Sequence, residues 1–316
     1  MCRWMAWLGQ PVLIDELLFK TQHGIVDQSL HARMGAEPTN GDGFGLGWYG
    51  TGDGPAVYHS VSPAWGDANL RELSGHIASP LFLAHVRAAI GSPVQQTNCH
   101  PFRHEEWLFV HNGYLAEFAT VRRDLMLAID PALFPNVHGS TDTEVIFHLA
   151  LTYGLQRDPI EALERTVGLI EAVAAQHGVA GAVQASFGVS DGTSLWAVRY
   201  ATEGTPRSLF ASSDVDSIHE LYPDNARLGL LGHDDRLIVS EPFADLPGVW
   251  QEIPPGTAVT VRRGGVLLEH PFVPRAPDQV ALLVPMLAGL IGLLIAFLMM
   301  RRPDPAPSAA AEMALA

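Results

Sequence analysis

The second residue of this 316-residue chain is a cysteine, and a cysteine at that position can become a complete catalytic unit. Methionine aminopeptidases remove Met1 when the next residue is small, which would leave a thiol and a free α-amine on Cys2. Such an amine has an ordinary pKa of about 7.7–8.0, so an appreciable fraction is neutral near pH 7. It can take the thiol proton directly or through one water, so nucleophile and general base come from one residue. Position alone leaves a plainer reading open, in which Cys2 is a small buried residue near the terminus.

Four stretches downstream carry further polar chemistry: Ala84-His85-Val86-Arg87, Thr97-Asn98-Cys99-His100-Pro101-Phe102, Val110-His111-Asn112-Gly113-Tyr114 and Ser140-Thr141-Asp142-Thr143-Glu144-Val145. Each has an ordinary explanation by itself. Arg87 could form a surface ion pair, Asn112-Gly113 could be a hairpin turn, and Asp142 could belong to a helix cap at Thr141. Taken together, in this order behind Cys2, they resemble the class-II glutamine amidotransferases, the N-terminal-nucleophile hydrolase group. The similarity extends through Asn40-Gly41-Asp42-Gly43-Phe44-Gly45, Ser240-Glu241-Pro242 and Ile253-Pro254-Pro255-Gly256-Thr257, and so covers roughly residues 2 to 270. It is nearest to the stand-alone branch, which includes the γ-glutamyl amidohydrolases of glutathione breakdown and ergothioneine synthesis.

The resemblance implies a four-layer αββα sandwich, an α+β fold, with no metal and no organic cofactor. It implies that Cys2 attacks a γ-glutamyl carbonyl to form a thioester, releasing ammonia or an amine and then glutamate. By the same resemblance, the Asn112 side-chain amide and the Gly113 N–H would face the developing oxyanion. Arg87 would hold the substrate α-carboxylate, for which a planar guanidinium is suited, and Asp142 the α-ammonium. His100 matches a histidine common in the family and is expected to give structural support, whereas Cys99 beside it is not expected to be catalytic. Two departures bear on substrate: Ala88 stands where many synthase-fused members have Trp, and no synthase domain follows. Glutamine and other small γ-glutamyl compounds, including peptides and thiol conjugates, therefore stay open. So do the acceptor of the released ammonia or amine and a non-catalytic scaffold or sensor built on the same fold.

Elements able to position these residues are visible as patterns. The apolar runs Met1–Leu8, Leu81–Val86 and Trp107–Val110 have strand length. Thr141 with Glu144 forms a capping-box pattern ahead of the stripe Ile146, Leu149, Ala150, Tyr153. Asp158, Pro159 and Glu161 open a second helix with an apolar face of Ile160, Leu163, Val167 and Ile170, and Gly178 stops it. Asp191-Gly192 between Ala182–Val189 and Thr193–Tyr200 predicts a hairpin.

Composition narrows the field. Nineteen basic against 34 acidic residues give a net charge of -15, which argues against binding a nucleic-acid backbone. Two cysteines exclude a disulfide framework and favour a reducing compartment. A metal hydrolase is disfavoured because His104-Glu105-Glu106-Trp107-Leu108 lacks the second histidine of a zincin, and His100, His104 and His111 do not form a recognised ligand set. The glycine-rich 40–45 segment lacks the Lys-Ser/Thr of a phosphate loop.

Residues 280–300 contain 21 positions without a charge, about 31 Å as a helix against roughly 30 Å of bilayer hydrocarbon. Asp15, Glu16 and Lys20 interrupt any secretory signal. The expectation is therefore a glutaminase-like domain over 1–272, a linker over 273–279, a transmembrane helix over 280–300 and a disordered tail over 301–316. The protein would then be a single-pass, C-terminally anchored membrane protein with its catalytic domain in the cytoplasm.

Overall fold

Alternating apolar strands whose two faces are both buried need a partner layer on each side, and the chain supplies them as two sheets and two sets of helices. The computed structural model describes residues 2–34, 38–89, 91–224 and 228–277. In chain order the strands are β1 (Arg3–Leu13), β2 (Phe44–Tyr49), β3 (Pro55–Ser60), β4 (Ala78–Val86), β5 (Phe102–His104), β6 (Trp107–Leu115), β7 (Val183–Ser190), β8 (Ser194–Ala201), β9 (Phe210–Ser212), β10 (Arg236–Val239), β11 (Trp250–Glu252), β12 (Thr257–Arg262) and β13 (Val266–Pro271). The helices are α1 (Ile14–Leu18), α2 (Ile25–His31), α3 (Ala68–Ser74), α4 (Phe118–Leu127), α5 (Asp142–Thr152), α6 (Pro159–Gln176) and α7 (Val215–Leu221).

Among the described residues the first sheet runs β11-β9-β10-β1-β4-β2-β3 and the second β13-β12-β8-β7-β6-β5. Trp4, Ala6 and Leu8 of β1 and Leu81 and Leu83 of β4 pack between the sheets on Leu108, Val110, Leu195, Ala197, Val259 and Val261. The alternate residues Met5, Trp7, Phe82, Ala84 and Val86 face outward onto Ile14, Leu17, Leu18, Ile25 and Val26 of the first helical layer. On the far side, Phe109 of β6 stacks on Phe147 of α5, with ring centroids 5.3 Å apart. The order is helix, sheet, sheet, helix: the expected αββα sandwich.

Local signals held in several places. Asp158 caps α6 by accepting the Glu161 N–H, and Gly178 follows it with φ of +69°. The Asp191-Gly192 hairpin joins β7 to β8, with Ser190 paired to Leu195. Thr141 accepts the Glu144 N–H at the start of α5. The reciprocal half of the capping box is absent, because Glu144 instead accepts the N–H groups of His138 and Gly139 at 2.8 and 2.7 Å.

Two expectations are corrected. Asn112-Gly113 is no turn. Both residues lie inside β6, opposite Ser186 and Ala185 of β7, so pairing along the whole strand overrides the local turn propensity. The fold was also expected to end in a membrane-spanning helix at 280–300, which would anchor a cytoplasmic domain. Among the described residues, no helix is long and apolar enough to cross a membrane. The longest, α6, has 18 residues but carries Glu161, Glu164, Arg165 and Glu171, charges that are costly in hydrocarbon. The stretch 280–300 itself lies outside the described residues, as do the expected tail and the end of the expected linker. The transmembrane architecture and the anchored location are therefore set aside.

Candidate active site

The start of β1 is fixed before any chemistry is considered. Trp4 is bonded twice to Ser240: its N–H donates to the Ser240 hydroxyl at 2.9 Å, and its carbonyl accepts the Ser240 N–H at 3.0 Å. The Trp4 indole N–H reaches across the sandwich to the Ser186 hydroxyl at 3.0 Å. Ser186 sits opposite Asn112 and donates to its carbonyl at 3.5 Å. The first residues of β1 thus lie over the Asn112 segment of β6.

Arg3 is buried and pairs with buried Glu241 at 2.7 Å, while also donating to the Cys2 carbonyl at 2.9 Å. Glu241 in turn accepts the Arg33 and Met34 N–H groups at 2.8 and 3.0 Å, and lies 2.7 Å from His23. Burial pushes the Glu241 carboxyl up, but the bonds from His23, Arg33 and Arg3 outweigh it and hold it below its ordinary 4.5. This hub received no role from sequence. Its one legible trace was Ser240-Glu241-Pro242 as a family-like stretch.

Cys2 is half-buried, and its thiol lies 3.6 Å from the Ala88 carbonyl, directly after Arg87. Burial raises the thiol above its ordinary 9.0; the bond to the Ala88 carbonyl, the amino terminus and the Arg87 charge pull it down, and Asp142 pushes it up. Two site residues of opposite charge thus both act on the same sulfur. At neutral pH the sulfur is a thiol, and a nucleophilic role demands a nearby base.

Arg87 emerges from β4 beside the glycine-rich turn. Its N–H donates to Gly43 at 2.8 Å, and Asp42 accepts the Ala89 N–H at 2.8 Å. The guanidinium is buried and donates to the Ser92 hydroxyl at 2.7 Å and the Pro93 carbonyl at 3.1 Å. Asn98 links this loop to the Asp142 side of the site. Its amide donates to the same Pro93 carbonyl at 2.9 Å, and its oxygen accepts the Ser140 N–H at 2.8 Å. Asp142 is half-buried at the first turn of α5 and accepts the Leu115 N–H at 2.9 Å and the Thr143 N–H at 2.7 Å. A chain of polar contacts thus runs from Arg87 through Pro93 and Asn98 to Ser140, two residues before Asp142.

Asn112 is buried on β6. Gly113 has no room for a side chain, because a Cβ there would run into the Gln184 carbonyl and the His111 ring. His111 bridges toward the Thr143 hydroxyl at 3.0 Å. Its backbone N–H donates to His100 Nδ1 at 3.4 Å, and the His100 ring lies against that of His85, tilted by 35° with centroids 4.0 Å apart. Burial holds the His85 and His100 rings well below their ordinary 6.5, reinforced at both by Arg87 and His111 and at His100 also by His85. Cys99 is buried with its thiol toward the Ser60 and Gln95 carbonyls, and burial pushes it up to about 11. No three His, Cys, Asp or Glu side chains among the described residues converge to hold a metal ion.

Two packed sheets flanked by helices, with Cys2 just ahead of the central strand β1, form a sandwich of the N-terminal-nucleophile hydrolase type. Residues 19–279 match the family model for class-II glutamine amidotransferases. The chain is 32% identical to the probable glutamine amidotransferase DUG3 of Saccharomyces cerevisiae, across 86% of this chain and 85% of that protein. It is 26% identical to the gamma-glutamyl-hercynylcysteine sulfoxide hydrolase of Mycolicibacterium smegmatis, across 85% of this chain and 99% of that one. Among solved structures, a glutamine aminotransferase class-II domain protein from Silicibacter pomeroyi superposes with a TM-score of 0.64 at 31% identity, covering 86% of this chain and 100% of that chain. The chain belongs to the class-II glutamine amidotransferase family, and it is an enzyme.

Proposed function

We propose that this enzyme hydrolyses a γ-glutamyl amide through a thioester on Cys2. The observation that carries the reading is the Cys2 thiol beside Ala88, under the charges of both Arg87 and Asp142, on a strand laid over Asn112. With Met1 removed, the neutral α-amine takes the thiol proton as sulfur attacks the γ-carbonyl carbon. The C–S bond forms, and the oxygen becomes an anion facing the Asn112 amide and the Gly113 N–H. One such donor is worth about 3–4 kcal/mol of transition-state stabilisation. The C–N bond then breaks, and the leaving amine takes the proton held by the α-amine. Water attacks the thioester, gives its proton to the same α-amine, and glutamate departs as the C–S bond opens.

The paired charges of Arg87 and Asp142 would select the zwitterionic head of the glutamyl group. The names of the yeast and mycobacterial relatives support the class of reaction, since one is called an amidotransferase of glutamine and the other a hydrolase of a γ-glutamyl compound. The experiment is glutamate release by the full chain from glutamine, γ-glutamyl ethylamide and γ-glutamylglycine. At least one should be turned over, and Cys2→Ala should fall to the uncatalysed background. Turnover surviving in Cys2→Ala, or none on any of the three, would contradict the reading.

A further inference from the structure

The proposed site accounts for the glutamyl head and leaves the far side of the scissile bond without a receptor. Arg207 lies close to β6, the strand that carries Asn112 and Gly113. Its guanidinium carbon lies 5.5 Å from the ring centre of Tyr114, the exposed residue that follows Gly113. Successive strand side chains alternate between faces, so Tyr114 shares the face of Asn112, one strand step beyond it.

The Arg207 segment is fixed rather than free to drift. Its carbonyl accepts from Arg199 Nε at 2.9 Å, and the neighbouring Ser208 hydroxyl donates to the Ser240 carbonyl at 2.8 Å. Ser240 is the residue that binds the Trp4 backbone. In the first sheet β1 lies between β10 and β4. Arg87 follows β4, and Arg207 is tied to the residue that follows β10. The two arginines therefore flank the start of β1 from opposite sides.

Their partners differ. Buried Arg3 pairs with Glu241, and buried Arg87 donates to Ser92 and Pro93. Arg207 is half-buried, its Nε is enclosed without a hydrogen-bond partner, and among the described residues no carboxylate pairs with it. Its charge is felt by the buried His111 ring and by Arg3. A cation partly withdrawn from water, beside a second cation and without an anion, is held at a cost. An incoming carboxylate would relieve that cost with charge-assisted bonds.

We propose that Arg207 receives a carboxylate carried by the leaving amine. The favoured substrates would then be γ-glutamyl amino acids or peptides rather than glutamine. The inference rests on the thioester reading, with Arg87 holding the head, and adds to it the class of leaving group.

The test compares γ-glutamylglycine with γ-glutamyl ethylamide, which puts a methyl where the carboxylate stands, using the full-length protein with Met1 removed. The wild type should prefer the glycine compound in kcat/KM by about tenfold or more, chiefly through KM. Arg207→Gln should erase most of that preference, and Arg207→Lys should keep part of it. Turnover of the ethylamide shows in each variant that the fold is intact. A wild type without preference, or an Arg207→Gln variant that keeps it or loses rate equally on both compounds, overturns the proposal while leaving γ-glutamyl hydrolysis standing. Failure of the wild type on both compounds and on glutamine overturns the hydrolytic reading, and this proposal with it.

Discussion

The start of β1 and the stretch of β6 that it faces are held by opposite kinds of chemistry. Around Cys2 the fixing groups centre on an ion pair, Arg3 with Glu241, and His23 and two backbone N–H groups from 33 and 34 close on the same carboxylate. Nearest Asn112 they are uncharged: the paired rings of His85 and His100, the His111 backbone, Ser186 and the Trp4 indole. The charged clamp grips a strand near its end, where a terminal nucleophile would otherwise fray. The neutral clamp surrounds the place assigned to a developing oxyanion, where a fixed negative neighbour would oppose the charge and uncharged donors would not. Rigidity is thus supplied twice, by whichever chemistry does not interfere locally.

This contrast is broken most severely at its charged end. Glu241→Ala removes the carboxylate of the buried Arg3–Glu241 ion pair, and the expected loss of stability is about 3–5 kcal/mol. Urea denaturation of the full chain measures it. A loss below about 1 kcal/mol, the range of a surface pair, would show that Glu241 is not the hub of the N-terminal strand.

The neutral end responds less, and over a different pH range. His85 and His100 are uncharged in the folded chain because burial holds them well below 6.5, but they protonate when the chain unfolds. Between their folded values and about pH 6.5 the unfolded state binds more protons, so stability falls as pH drops through that window. Each ring contributes up to about 1.4 kcal/mol per pH unit. Glu241, a depressed carboxyl, gives stability that is present above 4.5 and is lost only as pH falls below it. Denaturation midpoints between about pH 7 and 5 should therefore decline in the wild type. The decline should be shallower in His100→Phe, and unshifted histidine slopes in that variant would remove the buried-ring explanation.

The same division explains what was legible in the sequence. Helices α5 and α6 and the β7–β8 hairpin announced themselves, because caps, glycines and apolar stripes act over a few residues. Strands β1, β4 and β6 were visible as apolar runs, but their lengths were not. Asn112-Gly113 looked like a turn until β7 paired along it. Cys2, Arg87, Asn112, Gly113 and Asp142 could be named as a set only through family resemblance, since no local period links them. The Arg3–Glu241 pair spans 238 positions, and no sequence window contains it. Arg207 lies in a connection between β8 and β9 without a motif, and its meaning comes from what does not pair with it.

The central claim is that Cys2, freed of Met1, is the nucleophile. The direct measurement is intact mass followed by peptide mapping, after treating the full-length protein with a glutamine-like diazoketone. The expected result is a chain lacking Met1, one equivalent of label on the peptide beginning at Cys2, and loss of glutamate release in step with labelling. Label on Cys99 instead, or full activity in a chain that retains Met1, would contradict it.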